Sequence, residues 1–156
     1  MDREIRSANA ADIPAMIGVI NAAFAIETFL EGSRVDVARI SAMMETGTFL
    51  VAENSGELEA SIYIEVRGER CLIAMLAVHP RKQGTSVVRR IVKAAEDYCR
   101  ERGCKFADIT VLSQRNELPP VYERFGYRQT GTKEFESTQR LKEGVECHTL
   151  LLTKVL

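Results

Sequence analysis

The sequence has no tryptophan, few aromatic residues and only two histidines, His79 and His148. Its four cysteines, Cys71, Cys99, Cys104 and Cys147, contain no C-x-x-C pair, so no zinc-ligand spacing can be assembled and no metal is expected. Disulfides are not expected either. Cysteines set in apolar runs are small core residues, and Cys104, at the end of a helical stretch, is the one expected to be partly exposed. An excess of one charge sign is also missing. Lys and Arg number 21 against 22 Asp and Glu, so no global field favours nucleic acid or an anionic membrane. The longest apolar run, Leu72 to Val78, is far short of the ~20 residues of a membrane helix. The opening M-D-R-E-I-R-S is charged with no apolar stretch behind it, so no secretory signal and a cytoplasmic location are expected. No repeat, low-complexity tract or Pro/Ser-rich linker divides the 156 residues, which read as one domain, 1–156.

What is present is a globular balance: 46% hydrophobic and 28% charged residues. Residues 3–7 suit a first strand. Asn9 or Asp12 supplies a cap for a helix with Ile13, Met16, Ile17, Ile20 and Phe24 at helical spacing. Ser33 with Asp36 predicts a second helix, with Val37, Ile40 and Met44 on one face and Gly47 as its stop. A strand over 48–53 follows. From Leu58 to Val66 apolar and polar residues alternate strictly, predicting a half-buried antiparallel strand. Cys71–Val78 has no polar face and suits a strand covered on both sides. After His79 and Pro80 a helix is predicted to run to Arg102, with Val88, Ile91, Val92, Ala95 and Cys99 inward and Gly103 ending it. A buried strand Phe106–Leu112, a short helix holding Pro119 and Pro120, and strands Tyr127–Phe135 and Val145–Val155 complete an α+β (mixed α/β) layer fold.

The most informative stretch is L-A-V-H-P-R-K-Q-G-T-S-V-V-R-R-I-V, residues 76–92. An apolar strand passes through a short loop into a long helix, whose first turn has unpartnered N–H groups and partial positive charge. Gly84, with small Thr85 and Ser86, would let a phosphate approach the main chain. One glycine alone is weak evidence, since phosphate-binding glycine motifs carry more than one.

A second stretch, E-L-P-P-V-Y-E-R-F-G-Y at 117–127, follows the strand at 106–112. Together with I-R-S-A-N-A-A-D-I at the start and the strand ending A-V-H-P, it resembles the GNAT superfamily of acyl-CoA-dependent N-acyltransferases across nearly the whole chain. The resemblance implies a central mixed sheet splayed between its fourth strand (Cys71–Val78) and fifth strand (Phe106–Leu112), with the pantetheine arm of acetyl-CoA in the gap. It implies cofactor contacts from Leu76, Ala77, Val78, Gln83, Gly84, Thr85, Ser86, Val87, Val88 and Arg89. The family loop Q/R-x-x-G-x-G/A places Gln83 first, Ser86 at the first glycine and Val88 at the last Gly/Ala, so the loop is degenerate. A rival register, Arg81-x-x-Gly84-x-Ser86, shortens the loop by two residues. Val88 adds bulk where a pyrophosphate would approach.

The implied reaction is attack of an amine on an acetyl thioester, with no metal. Main-chain N–H groups near Leu76–Val78 would polarise the carbonyl. Tyr122 matches the family's general acid for the departing thiolate; its bland reading is an aromatic packed beside Phe125. The family's Glu on the fourth strand is missing. Glu27 and Glu31, the candidate acceptor-binding residues, and Glu65 are the nearest carboxylates, and His79 and His148 are weaker candidates for a base. Arg89 is the better phosphate candidate among the basic residues of the helix start. The acceptor is expected to be a small-molecule or peptide amine, and homodimers are common in the family. Two other classes compete with an N-acetyltransferase: a coenzyme A-binding module without turnover, favoured by the degenerate loop and missing base, and a plain protein-interaction domain.

Overall fold

The computed structural model describes residues 3–83 and 86–156. Among them lie β1 (Arg3–Ser7), α1 (Ile13–Phe24), α2 (Val37–Thr46), β2 (Thr48–Asn54), β3 (Glu57–Arg67), β4 (Arg70–Val78), α3 (Val87–Glu101), β5 (Phe106–Leu112), α4 (Leu118–Arg124), β6 (Arg128–Glu134) and β7 (His148–Val155). The strands form one sheet in the order β1-β2-β3-β4-β5-β7-β6. Neighbours are antiparallel except β4 and β5, which run parallel because α3 carries the chain across between them. No helix among the described residues is long and apolar enough to cross a membrane.

Helices cover both faces, and the strand alternation sorts side chains between two cores. Leu50, Ile62, Ile64 and Ile73 pack with Ile91, Val92 and Ala95 of α3. Phe49, Val51, Tyr63 and Ala77 meet Met16 and Ile20 of α1 and Ile40 and Met43 of α2. This corrects the half-buried reading of β3. Ser61, Tyr63 and even Glu59 are buried, because α1 and α2 cover the face that the alternation assigns to solvent, while Val66 at the strand's end is exposed.

The second helix starts later than predicted. Asp36, not Ser33, caps it, with Asp36 Oδ1 accepting from Arg39 N at 2.8 Å. Val35 is held extended ahead of it by the Asn21 side chain, which donates to Val35 O at 3.0 Å and accepts from Val35 N at 2.9 Å. In that register Val37 is 58% exposed, and Met43 rather than Met44 is fully inward. The stop at Gly47 is steric: a Cβ there would overlap the Tyr63 hydroxyl and the Ile64 carbonyl. The stretch after His79 is likewise not continuous helix. Pro80–Lys82 form a 3-10 turn capped by His79 Nδ1, which accepts from Arg81 N at 3.2 Å, and α3 begins only at Val87. The last strand begins at His148 rather than Val145, since Val145 N bonds back to Lys142 O in a turn. Cys104 is buried, contrary to expectation. Gly103, at φ +83°, turns the chain back so that Cys104 N bonds Cys99 O at 3.0 Å, and Cys147 is the more open thiol.

Candidate active site

The site starts from a parting of strands. β4 and β5 pair from Arg70↔Phe106 to Ile73↔Ile109 and no further. Beyond that point Ala74–Val78 follow β3, whereas Thr110–Leu112 follow β7. The divergence coincides with a β-bulge: Ser61 faces Ala77 and Tyr63 faces Ala74, leaving Met75 and Leu76 opposite the single residue Ile62. Met75 takes φ +52°, which turns the strand at that residue. A cleft of about 1150 Å³ opens where the strands separate, floored by Leu76, Ile109 and Val111.

One end of the cleft is the α3 side. Leu76, Val78, Gln83 and Val88 line it, and Gln83 Nε2 donates to Val78 O at 3.4 Å. Ser86 is the N-cap position of α3 but gives no side-chain cap, so the helix start presents its partial positive charge without a side-chain acceptor from Ser86. Ala77 and Val87 are buried in the two cores, on opposite faces of the sheet. Arg89 is exposed, its guanidinium 5.7 Å from the Phe125 ring centroid. Gly84 and Thr85 lie outside the described residues.

Tyr122 closes the floor from α4. Its ring is buried edge-on to Tyr127, with centroids 6.1 Å apart, in the core against which Phe125 also packs. No hydrogen bond among the described residues engages its hydroxyl, and the residue lines the cleft. Burial pushes the phenol up to about 12, with the nearby Arg115 charge pulling the other way. At neutral pH the hydroxyl therefore holds its proton.

The far end is ionic. Glu27 is buried, not a solvated surface charge: Oε1 accepts from Arg34 Nη1 at 2.9 Å and Oε2 from Arg115 Nη1 at 2.8 Å. Arg34 lies over the Phe24 ring at 4.4 Å, and Arg115 Nε also donates to Glu117 Oε2 at 3.0 Å. Glu65 lines the cleft and accepts from the Tyr63 hydroxyl at 3.3 Å and from Arg67 Nε at 3.2 Å. The Tyr63 hydroxyl also shares 2.9 Å with Thr46 Oγ1, and burial raises its pKa. Thr149 lines the cleft as well, with a buried Oγ1 that has no hydrogen-bond partner among the described residues. Glu31 is exposed and outside the cleft, tied through its N–H to Arg140 O at 2.8 Å. His79 and His148 also lie outside its lining.

Arg34, Arg115, Glu117, Tyr63 and Thr149 are the cleft residues that sequence reasoning missed. Arg115, two residues ahead of Glu117 and the helix-opening prolines, was the one with a local signal. Away from the cleft, the topology also gathers three cysteines that share no sequence motif. The Sγ atoms of Cys71, Cys99 and Cys104 all lie within 4.8 Å of one another in the core. The group has three soft donors and no fourth His, Cys, Asp or Glu ligand among the described residues.

Comparison with solved structures finds the same architecture. The chain superposes with TM-score 0.80 on the ribosomal-protein-S18-alanine N-acetyltransferase of Escherichia coli, at 14% identity, covering 99% of this chain and 94% of the other. With yncA, a putative acetyltransferase from Salmonella typhimurium solved with its cofactor acetyl-CoA, the TM-score is 0.79 at 20% identity, covering 100% and 95%. A ribosomal-protein-alanine N-acetyltransferase from Brucella melitensis matches at 0.79 with 19% identity, covering 98% and 99%. At these identities the likeness is one of fold. The family assignment comes from the sequence model for the acetyltransferase (GNAT) domain, which matches residues 16–141. With the sheet parted after Ile73 and Ile109 and that model spanning most of its length, the chain belongs to the GNAT acetyltransferase family.

Proposed function

We propose that this protein transfers an acetyl group from acetyl-CoA to a primary amine by direct attack in a ternary complex. The observation that carries this reading is the parting of β4 from β5 next to the start of α3, with the protonated Tyr122 hydroxyl on the same cleft. The residues present fit the cosubstrate. The β5-facing edge of Ala74–Val78 has no strand partner among the described residues and suits an extended amide-bearing arm. The α3 start suits a pyrophosphate, with Gln83, Ser86, Val88 and Arg89 as the described residues proposed to meet it.

Acetyl-CoA supplies the thioester electrophile; the chain supplies the rest. Leu76–Val78 offer main-chain donors to the carbonyl oxygen as charge develops there. The amine nitrogen forms its bond to the carbonyl carbon, the C–S bond breaks, and Tyr122 delivers its phenolic proton to the leaving sulfur. A thiol is already acidic, with a pKa near ~8.5, so this transfer is a modest aid rather than a necessity. No carboxylate stands on β4, and water relays the ammonium proton to solvent. Glu65, outside the Glu27 cluster, also lines the cleft but is bonded to Tyr63 and Arg67.

The test is thermal shift with acetyl-CoA followed by thiol release with an amine panel. At 100 times Kd the ligand stabilises by ~2.7 kcal/mol. A shift without turnover would favour a coenzyme A-binding module instead, the reading supported by Ser86 and Val88 at the loop's small-residue positions. No shift would remove the cosubstrate assignment.

A further inference from the structure

At the acceptor end of the cleft two largely buried guanidinium groups meet one buried carboxylate, Glu27. Side-chain exposure is 5% for Glu27, 13% for Arg115 and 19% for Arg34, so two cations share one anion with little water. Glu117 also meets Arg115, but its side chain is 51% exposed and screened by solvent. The other cleft charges largely cancel in pairs, Glu65 with Arg67 and Glu136 with Lys133, while Arg39 is exposed. Guanidinium donors held largely out of water are costly unless an acceptor completes them.

The hydrogen-bond inventory agrees. Arg34 uses only Nη1, toward Glu27 and, at 3.5 Å, Gln139; its Nε and Nη2 have no acceptor among the described residues. Arg115 uses Nη1 and Nε, leaving Nη2. Both residues line the cleft, and their guanidinium groups are held: Arg34 by the Phe24 ring, and both by Glu27, whose own backbone is tied at N to Phe24 O and at O to Leu30 N. Thr149, with its unpartnered hydroxyl on the same cleft, lies across the strand pair from Leu112, whose carbonyl accepts from Arg115 N. Arg34, Arg115 and Tyr122 line the same cleft, and the Arg115 charge acts on the Tyr122 phenol.

We propose that Arg34 and Arg115, held by Glu27, receive a carboxylate on the acceptor, which makes the acceptor an α-amino acid or a compound with the same closely spaced amine and carboxylate. The planar guanidinium fork matches a carboxylate and not a second ammonium, so plain alkylamines and lysine side chains are poor fits. This inference rests on the acetyltransferase reading and names the substrate class of the same cleft.

The test compares L-amino acids with their own carboxamides, which keep the amine and remove only the negative charge. With acetyl-CoA, kcat/KM for the acids should exceed that for the amides by at least about 10-fold, the loss expected for a charge-assisted pair. Arg115→Gln should bring the ratio to within about 3-fold while acetyl-CoA still raises the melting temperature, because a neutral amide donor no longer favours the charged group. If that variant does not fold, Arg34→Lys, which keeps the charge but loses the fork, should lower the ratio part way. A second readout needs no turnover: N-acetyl-amino acids should stabilise the native protein and N-acetyl-amino acid amides should not. Equal stabilisation by both, or by neither, overturns the proposal. Amides acetylated as fast as acids overturn it too, while leaving the acetyltransferase reading intact. Stabilisation by N-acetyl-amino acids with no thiol release from any amine would instead overturn that reading.

Discussion

The Tyr127 hydroxyl donates to Glu96 Oε2 at 2.8 Å inside the core, while Lys154 Nζ holds Glu96 Oε1 at 2.9 Å. A carboxylate on the buried face of α3 is thereby satisfied from Tyr127, the residue ahead of β6, and from β7, beyond the parting of the sheet. Tyr127→Phe keeps the ring and strands Glu96 Oε2, so stability should fall by about 1–3 kcal/mol. Urea unfolding with an unchanged m-value would register this, and an unchanged midpoint would show that the bond contributes nothing.

Tyr122→Phe separates catalysis from packing. Acetyl-CoA affinity should stay within a few-fold, and kcat should fall by up to ~10²–10⁴, nearer the low end because thiolate leaves readily. With the hydroxyl pushed up to about 12, its own titration does not shape the profile from pH 6 to 9.5. The deficit should shrink as pH passes the thiol pKa, since the product then needs no proton. Equal rates for both proteins at every pH would remove Tyr122 from the mechanism. Stability supplies an independent sign: the folded pKa lies above the unfolded value, so the native protein loses stability as pH rises from about 10 toward 12, and the Phe variant escapes that loss.

Val88→Gly tests the loop register. Val88 is half-buried, lines the cleft and packs against the α3 core. Removing its side chain should tighten acetyl-CoA binding by calorimetry while lowering the melting temperature, since glycine costs about 1 kcal/mol in a helix before lost packing is added. Unchanged or weaker binding in a folded variant would favour the register that ends at Ser86.

Asp108 reports on acid stability. Arg70 donates to it at 2.8 and 2.7 Å and Thr153 at 2.8 Å, which holds its carboxyl below the usual range. A depressed folded pKa stabilises above the unfolded value near ~3.9 and is lost as pH falls through the folded one. Asp108→Asn should melt below the native protein at pH 6, and the gap should narrow below pH ~4 and close once the folded carboxyl is itself protonated. A gap that persists there would mean that Asp108 acts by packing rather than charge.

Elements with strong periodicity were legible from sequence almost to the residue: β5 is Phe106–Leu112 in both accounts, and α1 carries Ile13, Met16 and Ile20 as expected. Misreadings arose where a distant partner decides the local state. Ser33 looks like a cap, but Asn21 pins Val35 in an extended form and moves the cap to Asp36. The polar residues of β3 look solvated because nothing in their own segment announces that α1 and α2 lie over them. The same reason hid the acceptor end of the cleft. Arg34 and Arg115 are far apart in sequence and become a pair only through Glu27, and the bulge at Met75 has no sequence mark at all.

The placement of the cysteines also governs how the chain answers a thiol reagent. Cys147 is half-buried beside Ser113 near the start of β7, whereas Cys71, Cys99 and Cys104 share one pocket of the core. A disulfide reagent added to the native chain meets Cys147 first and sees the other sulfurs only when α3 lifts from β4. Colour development in two phases would therefore time core opening directly, with no added label. It would also set the background against which coenzyme A sulfur is counted: small at once, and growing only as molecules unfold.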